Sequence, residues 1–100
     1  MSSLKNFNEK DVLRAVASIT QVHEALILSK MCHRPYGDAR AIIATILYDE
    51  LKYTQKDIAK FLNWKERSTF VAARNKVSNI KELTEIKEEA LRQLFYGMIR

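Results

Sequence analysis

The sequence predicts an all-α fold, a compact bundle of about five helices that forms one domain over residues 1–100. A chain of 100 residues is long enough for a single hydrophobic core but not for two domains. Its 47% hydrophobic and 29% charged residues, with only 2 Gly and 1 Pro, are typical neither of disordered segments nor of loop-rich β proteins. Apolar residues recur at spacings of three and four through most of the chain, which indicates amphipathic helices.

The chain is expected to begin with a flexible stretch over residues 1–8. Asn8, with Asp11 three residues later, predicts the start of a first helix, because Asn is a favoured N-cap residue. The apolar pattern of this helix ends near Ile19. A short helical turn over residues 23–28 is expected to follow.

A central core helix is the clearest element of the sequence. Pro35 and Gly37 predict a loop over residues 32–37, since proline does not continue a helix and glycine permits a turn. Asp38 is then expected to cap the central helix. Its apolar positions have helical spacing and predict a buried face. They are Ala39, Ile42, Ile43, Ile46, Leu47 and Leu51.

The C-terminal half is expected to contain a helix-turn-helix over about residues 54–78. Thr54 begins a capping box that starts a short helix, and a second amphipathic pattern begins near Glu66. Two short helices joined by a turn of three or four residues form this motif. Thr84 is expected to cap a last helix over about residues 84–98, which packs back over the core.

The positive charge of the chain is concentrated in its middle. The formal net charge is +5, and residues 1–29 and 77–100 are each neutral. Residues 30–76 contain ten basic and five acidic side chains, so the whole excess lies there. A basic segment confined to one part of a small domain indicates a binder of polyanions. The alternative is an ordinary solvated surface with extra lysines.

The second helix of the predicted pair has two distinct faces. At 100° per residue, Phe70, Ala73 and Val77 lie on one face. On the opposite face, small side chains allow the helix to approach DNA closely, and polar side chains can reach base edges. Cations on the flanks can reach phosphates. This arrangement suits insertion of the helix into a DNA major groove. The alternative is a generic surface helix, although such helices more often carry Glu. The opposite face carries Ser68, Ala72, Asn75 and Asn79, and the flanks carry Lys65, Arg67, Thr69, Arg74 and Lys76.

Residues 58–77, with the sequence IAKFLNWKERSTFVAARNKV, resemble the C-terminal DNA-binding domain of the bacterial replication initiator DnaA. The pattern of that family reads roughly IGxxxGxRDHTTVxxAxxKI. The resemblance extends over about residues 11–99. It implies an all-helical fold related to the tryptophan repressor and sequence-specific binding of double-stranded DNA through a helix-turn-helix.

The resemblance also implies roles for individual residues. Arg40 corresponds to a family Arg that faces DNA from the central helix. Lys30, His33 and Arg34 lie in the loop that in the family inserts an Arg into the minor groove, and Arg34 is the best candidate for that contact. Lys65 matches a backbone-contacting Arg, Ser68 and Thr69 match paired threonines, and Lys76 matches a lysine near phosphate.

The sequence departs from the family at the positions that read bases. Glu66 and Arg67 replace an Asp-His pair, so the target sequence of the family is not expected to transfer. Arg67 favours guanine, and Glu66 can accept a hydrogen bond from a cytosine amino group. Trp64 replaces a small residue in the turn and is expected to pack at its edge, the alternative being stacking on DNA.

Other function classes are disfavoured. Cys32 and the two histidines lack partners for nucleophilic catalysis or zinc binding, so neither an enzyme nor a cofactor or small-molecule substrate is expected. No apolar run is long enough to span a membrane, which predicts a soluble cytoplasmic protein. The DNA binding that the resemblance implies adds the expectation that the protein is nucleoid-associated. No GxxxxGK[ST] motif is present, so the chain is expected to be an excised or stand-alone DNA-binding domain without the ATPase module. The alternative is a protein-interaction module that modulates a replication initiator.

Overall fold

The computed structural model describes residues 8–29, 34–64 and 67–99, and the described residues form six helices and no strand. The all-α prediction is confirmed. The helix in addition to the predicted five is α2, a four-residue element at the position of the predicted short turn. The helices are α1 (Glu9–Thr20), α2 (Glu24–Ile27), α3 (Arg34–Asp49), α4 (Gln55–Leu62), α5 (Arg67–Asn79) and α6 (Lys81–Ile99).

Helix α3 is the centre of the bundle. Every residue from Ala39 to Leu47 is buried, and α3 packs against each of the other five helices. A helix that is buried on all sides needs neighbours around its whole circumference. The predicted central core helix is therefore confirmed, and the remaining elements are arranged around it.

The predicted loop before α3 is wrong for residues 34–37. The helix begins at Arg34, so Pro35 and Gly37 both lie in its first turn. Proline is tolerated there because the first N–H groups of a helix have no intrahelical acceptor. Asp38 is consequently an internal residue of α3 and does not cap it. Cys32 and His33 lie outside the described residues.

The caps of α1 and α4 agree with the sequence prediction. Asn8 accepts hydrogen bonds from the backbone N–H groups of Lys10 and Asp11, and the Asp11 carboxylate accepts one from the Asn8 N–H at 2.9 Å. Asn8 therefore belongs to the structured part of the chain, whereas residues 1–7 of the predicted flexible segment lie outside the described residues. The Thr54 side chain caps α4 by accepting from the Asp57 N–H at 3.1 Å, although the return bond from the Thr54 N–H to the Asp57 carboxylate, which would complete the predicted capping box, is not formed.

Helix α6 begins three residues earlier than predicted. It starts at Lys81, directly after Ile80, so Thr84 is not its N-cap. The Thr84 hydroxyl instead donates a hydrogen bond to the Val77 carbonyl oxygen at 2.6 Å, which ties the first turn of α6 to the end of α5. The predicted packing of this last helix over the core is confirmed, since Leu83, Ala90 and Leu94 are buried.

The segment between α3 and α4 is attached to the start of α1. The Tyr53 hydroxyl donates a hydrogen bond to the Glu9 carboxylate, with an O–O distance of 2.6 Å. This bond lowers the pKa of Glu9 below its ordinary value and raises the pKa of Tyr53. It therefore stabilises the folded chain while Glu9 is ionised and Tyr53 is protonated.

We expect Tyr53→Phe to lower the free energy of unfolding by about 0.5–1 kcal/mol at pH 7, because one charge-assisted bond at a partly exposed site is lost. The folded-state pKa of Glu9 is depressed, so this contribution is present above the ordinary pKa of 4.5 and is lost as the pH falls below it. Urea denaturation at pH 7 and pH 3 measures both quantities. An equal difference between wild type and Tyr53→Phe at the two pH values would contradict the assignment.

Candidate nucleic-acid interface

The inner face of α5 is apolar and packs on α3. Phe70, Ala73 and Val77 are buried, as their spacing predicts. The Phe70 ring meets the Tyr48 ring of α3 edge to face, with 5.0 Å between the ring centroids. The small Ala73 lies between the larger side chains of this face. Burial of this face fixes which side of α5 is directed outward.

Two ion pairs connect the flanks of α5 to α3. Arg74 donates a hydrogen bond to Asp49 at 2.8 Å, and its guanidinium lies 4.9 Å from the centroid of the Tyr48 ring. Lys76 pairs with Asp38 on the other flank. Asp38 and Asp49 are eleven residues apart on α3, about 16 Å at the helical rise. Arg74 and Lys76 are only two residues apart, so α5 crosses α3 and does not run alongside it.

The outward face of α5 is uncharged. Ala72, Asn75 and Asn79 are exposed, as the two-face prediction requires, and Thr69 is half-buried. Asn75 has no hydrogen-bond partner among the described residues, so its amide is free to bind an external group. Of the six helices in the described part of the chain, α5 alone contains no Asp or Glu. This face therefore presents no negative charge to a polyanion.

Several predicted site residues fall where the structure gives no side-chain description. Lys30, Lys65 and Glu66 lie outside the described residues. For Arg34, Arg67 and Ser68 the description covers the helical backbone alone: Arg34 is the first residue of α3, and Arg67 and Ser68 are the first two residues of α5. The backbone thus places Arg67 and Ser68 in the first turn of α5, where the sequence predicts base contacts.

Arg40 does not occupy the predicted DNA-facing position. The residue is only 8% exposed. Its Nε donates to the Ile27 carbonyl at 2.5 Å, and one terminal nitrogen donates to the Ser29 carbonyl at 2.6 Å. These acceptors lie at the C-terminal end of α2, where helix carbonyls have no intrahelical donors and a cation is favoured. The expectation of a phosphate contact is corrected: Arg40 attaches α2 to the central helix.

The end of α4 is attached to the same part of α2. Asn63 has φ of 60°, a left-handed conformation that asparagine adopts more readily than most residues, and it caps the C-terminus of α4. Its side-chain amide donates to the Leu28 carbonyl at 3.1 Å. Trp64 is half-buried against the core, which confirms the packing prediction. The first half of the connection between α4 and α5 is therefore held in place.

Four exposed residues on or next to α4 and α5 have no role predicted from the sequence. Lys56 and Lys60 lie on the side of α4 opposite its buried residues, and Lys52 precedes the helix. None of the three forms an ion pair with a described residue. Their four-residue spacing, in a segment with a basic excess, is a sequence signal for phosphate-binding lysines on one helix face. Val71, on α5, is 53% exposed although it follows the buried Phe70.

No protein-family model, curated protein sequence or solved structure matches the chain significantly. None of the described helices has the length and apolar character needed to cross a bilayer.

We expect Arg40→Ala to lower the free energy of unfolding by about 2–4 kcal/mol, since it removes a buried charge and leaves carbonyls of α2 without donors. Arg14→Ala, at an exposed position of α1, is the matched control and is expected to change stability by less than about 0.5 kcal/mol. Urea denaturation followed by circular dichroism measures both. A variant that keeps wild-type stability but loses DNA binding would return Arg40 to the DNA-facing role.

Proposed function

We propose that the chain binds double-stranded DNA sequence-specifically by placing α5 in the major groove, with α4 and α5 acting as a helix-turn-helix. In this role it acts as a DnaA-like DNA-binding domain. The observation that carries the proposal is the outward face of α5, which is free of acidic residues and bears small and amide side chains. The resemblance of residues 58–77 to the initiator family supports the same conclusion.

The dimensions of an exposed helix suit this docking. An α-helix with its side chains is about 10–12 Å across, and the major groove of B-DNA is about 12 Å wide. Ala72 has a side chain short enough for the α5 backbone to approach the floor of the groove. Asn75, one turn beyond Val71 and about two turns beyond Arg67, brings an amide donor and acceptor to the same face. The helix can therefore contact base edges over about two turns.

Phosphate contacts are assigned to cations around α5. Lys65 precedes the helix, and the exposed Lys56 and Lys60 lie on α4, the helix that crosses the DNA backbone in this motif. Lys76 is paired with Asp38, so it reaches a phosphate only by sharing or leaving that carboxylate. Arg74 is held by Asp49 and Tyr48 and serves the orientation of α5.

The alternative function is a protein-interaction module that modulates a replication initiator. Exposed apolar side chains at Leu26 and Val71 are the features that favour it. The two functions differ in salt dependence. Duplex binding weakens steeply with salt, by a slope of about 0.9 for each phosphate contact in a plot of log K against log salt concentration, because counterions are released. An apolar protein contact has no comparable slope.

We expect Ala72→Glu to weaken binding to a random-sequence 30-bp duplex by at least about tenfold, because a carboxylate enters the centre of the docking face. Ala72 is exposed and Glu is a good helix former, so the fold is retained. The matched control is Ser18→Glu, which adds the same charge at an exposed position of α1. Fluorescence anisotropy at several salt concentrations measures affinity and slope.

Equal losses for Ala72→Glu and Ser18→Glu would mean that α5 does not face DNA. A wild-type chain whose duplex affinity is insensitive to salt would exclude the proposed docking altogether and favour the protein-interaction alternative.

A further inference from the structure

We infer that Val71 and Asn75 together recognise A·T base pairs in the major groove, so that the DNA site of this chain contains a thymine methyl contact next to an adenine contact. The inference rests on the proposed function and specifies the bases read by the same face. It concerns Val71, to which the sequence analysis gave no role.

The exposure of Val71 is unusual for the bundle. Among the described residues only Leu26 and Val71 are large hydrophobic side chains with high exposure, at 37% and 53%. A β-branched residue also lowers helix propensity slightly, so an exposed helical valine stabilises neither the core nor the helix. Its two methyl groups are available to an external apolar group.

The chemistry of this pair of side chains matches A·T base pairs. In the major groove, thymine alone presents an apolar C5-methyl group, and small apolar side chains contact it. Adenine presents N7 and N6, which an asparagine amide can hold with two hydrogen bonds. Asn75 is exposed and has no hydrogen-bond partner in the described part of the chain. One side chain thus suits thymine, and the other suits adenine.

The spacing of the pair suits neighbouring base pairs. Residues four apart lie on the same side of a helix, about 6 Å apart along its axis. Stacked base pairs are about 3.4 Å apart, so Val71 and Asn75 span one to two base-pair steps. Ala72, which lies beside Asn75 on the side away from Val71, is short and does not block the approach.

Guanine recognition by this part of α5 is disfavoured by the ion pairing. Arginine holding guanine is the commonest specific contact in the major groove, but Arg74 is held by Asp49 and by the Tyr48 ring.

A protein partner also fits poorly, because stable protein interfaces bury about 1,200 Å² or more. The described exposed neighbours of Val71 on α5, namely Ala72, Asn75 and Ser78, add little apolar area.

Replacing thymine by deoxyuridine tests the methyl contact directly, because this change removes the methyl group and retains charge and base pairing. The probes are the duplexes that the wild-type chain enriches from a random-sequence pool, resynthesised with dU at every dT. We expect the wild-type chain to lose about fourfold in affinity, the fold-change that corresponds to one buried methyl group. Val71→Ala is expected to bind the dT and dU duplexes within twofold of each other.

Two further variants complete the experiment. Asn75→Ala is expected to lose about tenfold or more of its preference for A·T over G·C at one position. Ser78→Ala, at another exposed position of α5, is the matched control and should keep the wild-type response to dU. Enriched duplexes that bind equally well with dT and dU would overturn the inference while leaving the proposed function intact. Failure of the wild-type chain to enrich any duplex would overturn both.

Discussion

Burial of α3 on every side is the constraint on which the rest of the structure depends. Ala39 to Leu47 form an uninterrupted buried stretch, so the other helices must cover its whole circumference. The stretch also contains a buried cation, Arg40, which is tolerated because carbonyl groups at the end of α2 accept its hydrogen bonds. The short α2 is therefore attached to the core by a polar contact. Apolar packing alone would give a four-residue helix little stability.

The orientation of α5 follows from its attachment to α3. Burial of Phe70, Ala73 and Val77 supplies most of the stabilisation, since a large apolar side chain contributes about 1.5–3 kcal/mol. The ion pairs of Arg74 and Lys76 are partly exposed and contribute about 0–1 kcal/mol each. Their effect is directional, because they connect opposite flanks of α5 to distant points of α3. The outward face is thus presented in a fixed orientation, which lowers the entropic cost of the docking that we propose.

The sequence predicted helices and faces better than helix boundaries. Apolar spacing identified α3 and the buried face of α5, and Asn8 and Thr54 identified two caps, because these signals are local. The starts of α3 and α6 differ from the prediction. Pro35 predicts a break, but the first turn of a helix tolerates proline. Thr84 predicts a cap, but its hydroxyl bonds the Val77 carbonyl oxygen instead. The acceptors of Arg40 are eleven to thirteen residues away, so no local pattern separates this buried cation from an exposed one. The exposed Val71 likewise follows from tertiary packing, not from hydropathy.

The most direct test of the central claim is selection of bound duplexes from a random-sequence pool with the purified full chain at low salt. Sequence-specific docking of α5 predicts that one motif is enriched over successive rounds by the wild-type chain and not by Ala72→Glu. A wild-type chain that enriches no motif under these conditions would contradict the account, because a basic, pre-oriented helix that enters the major groove must favour some sequences over others.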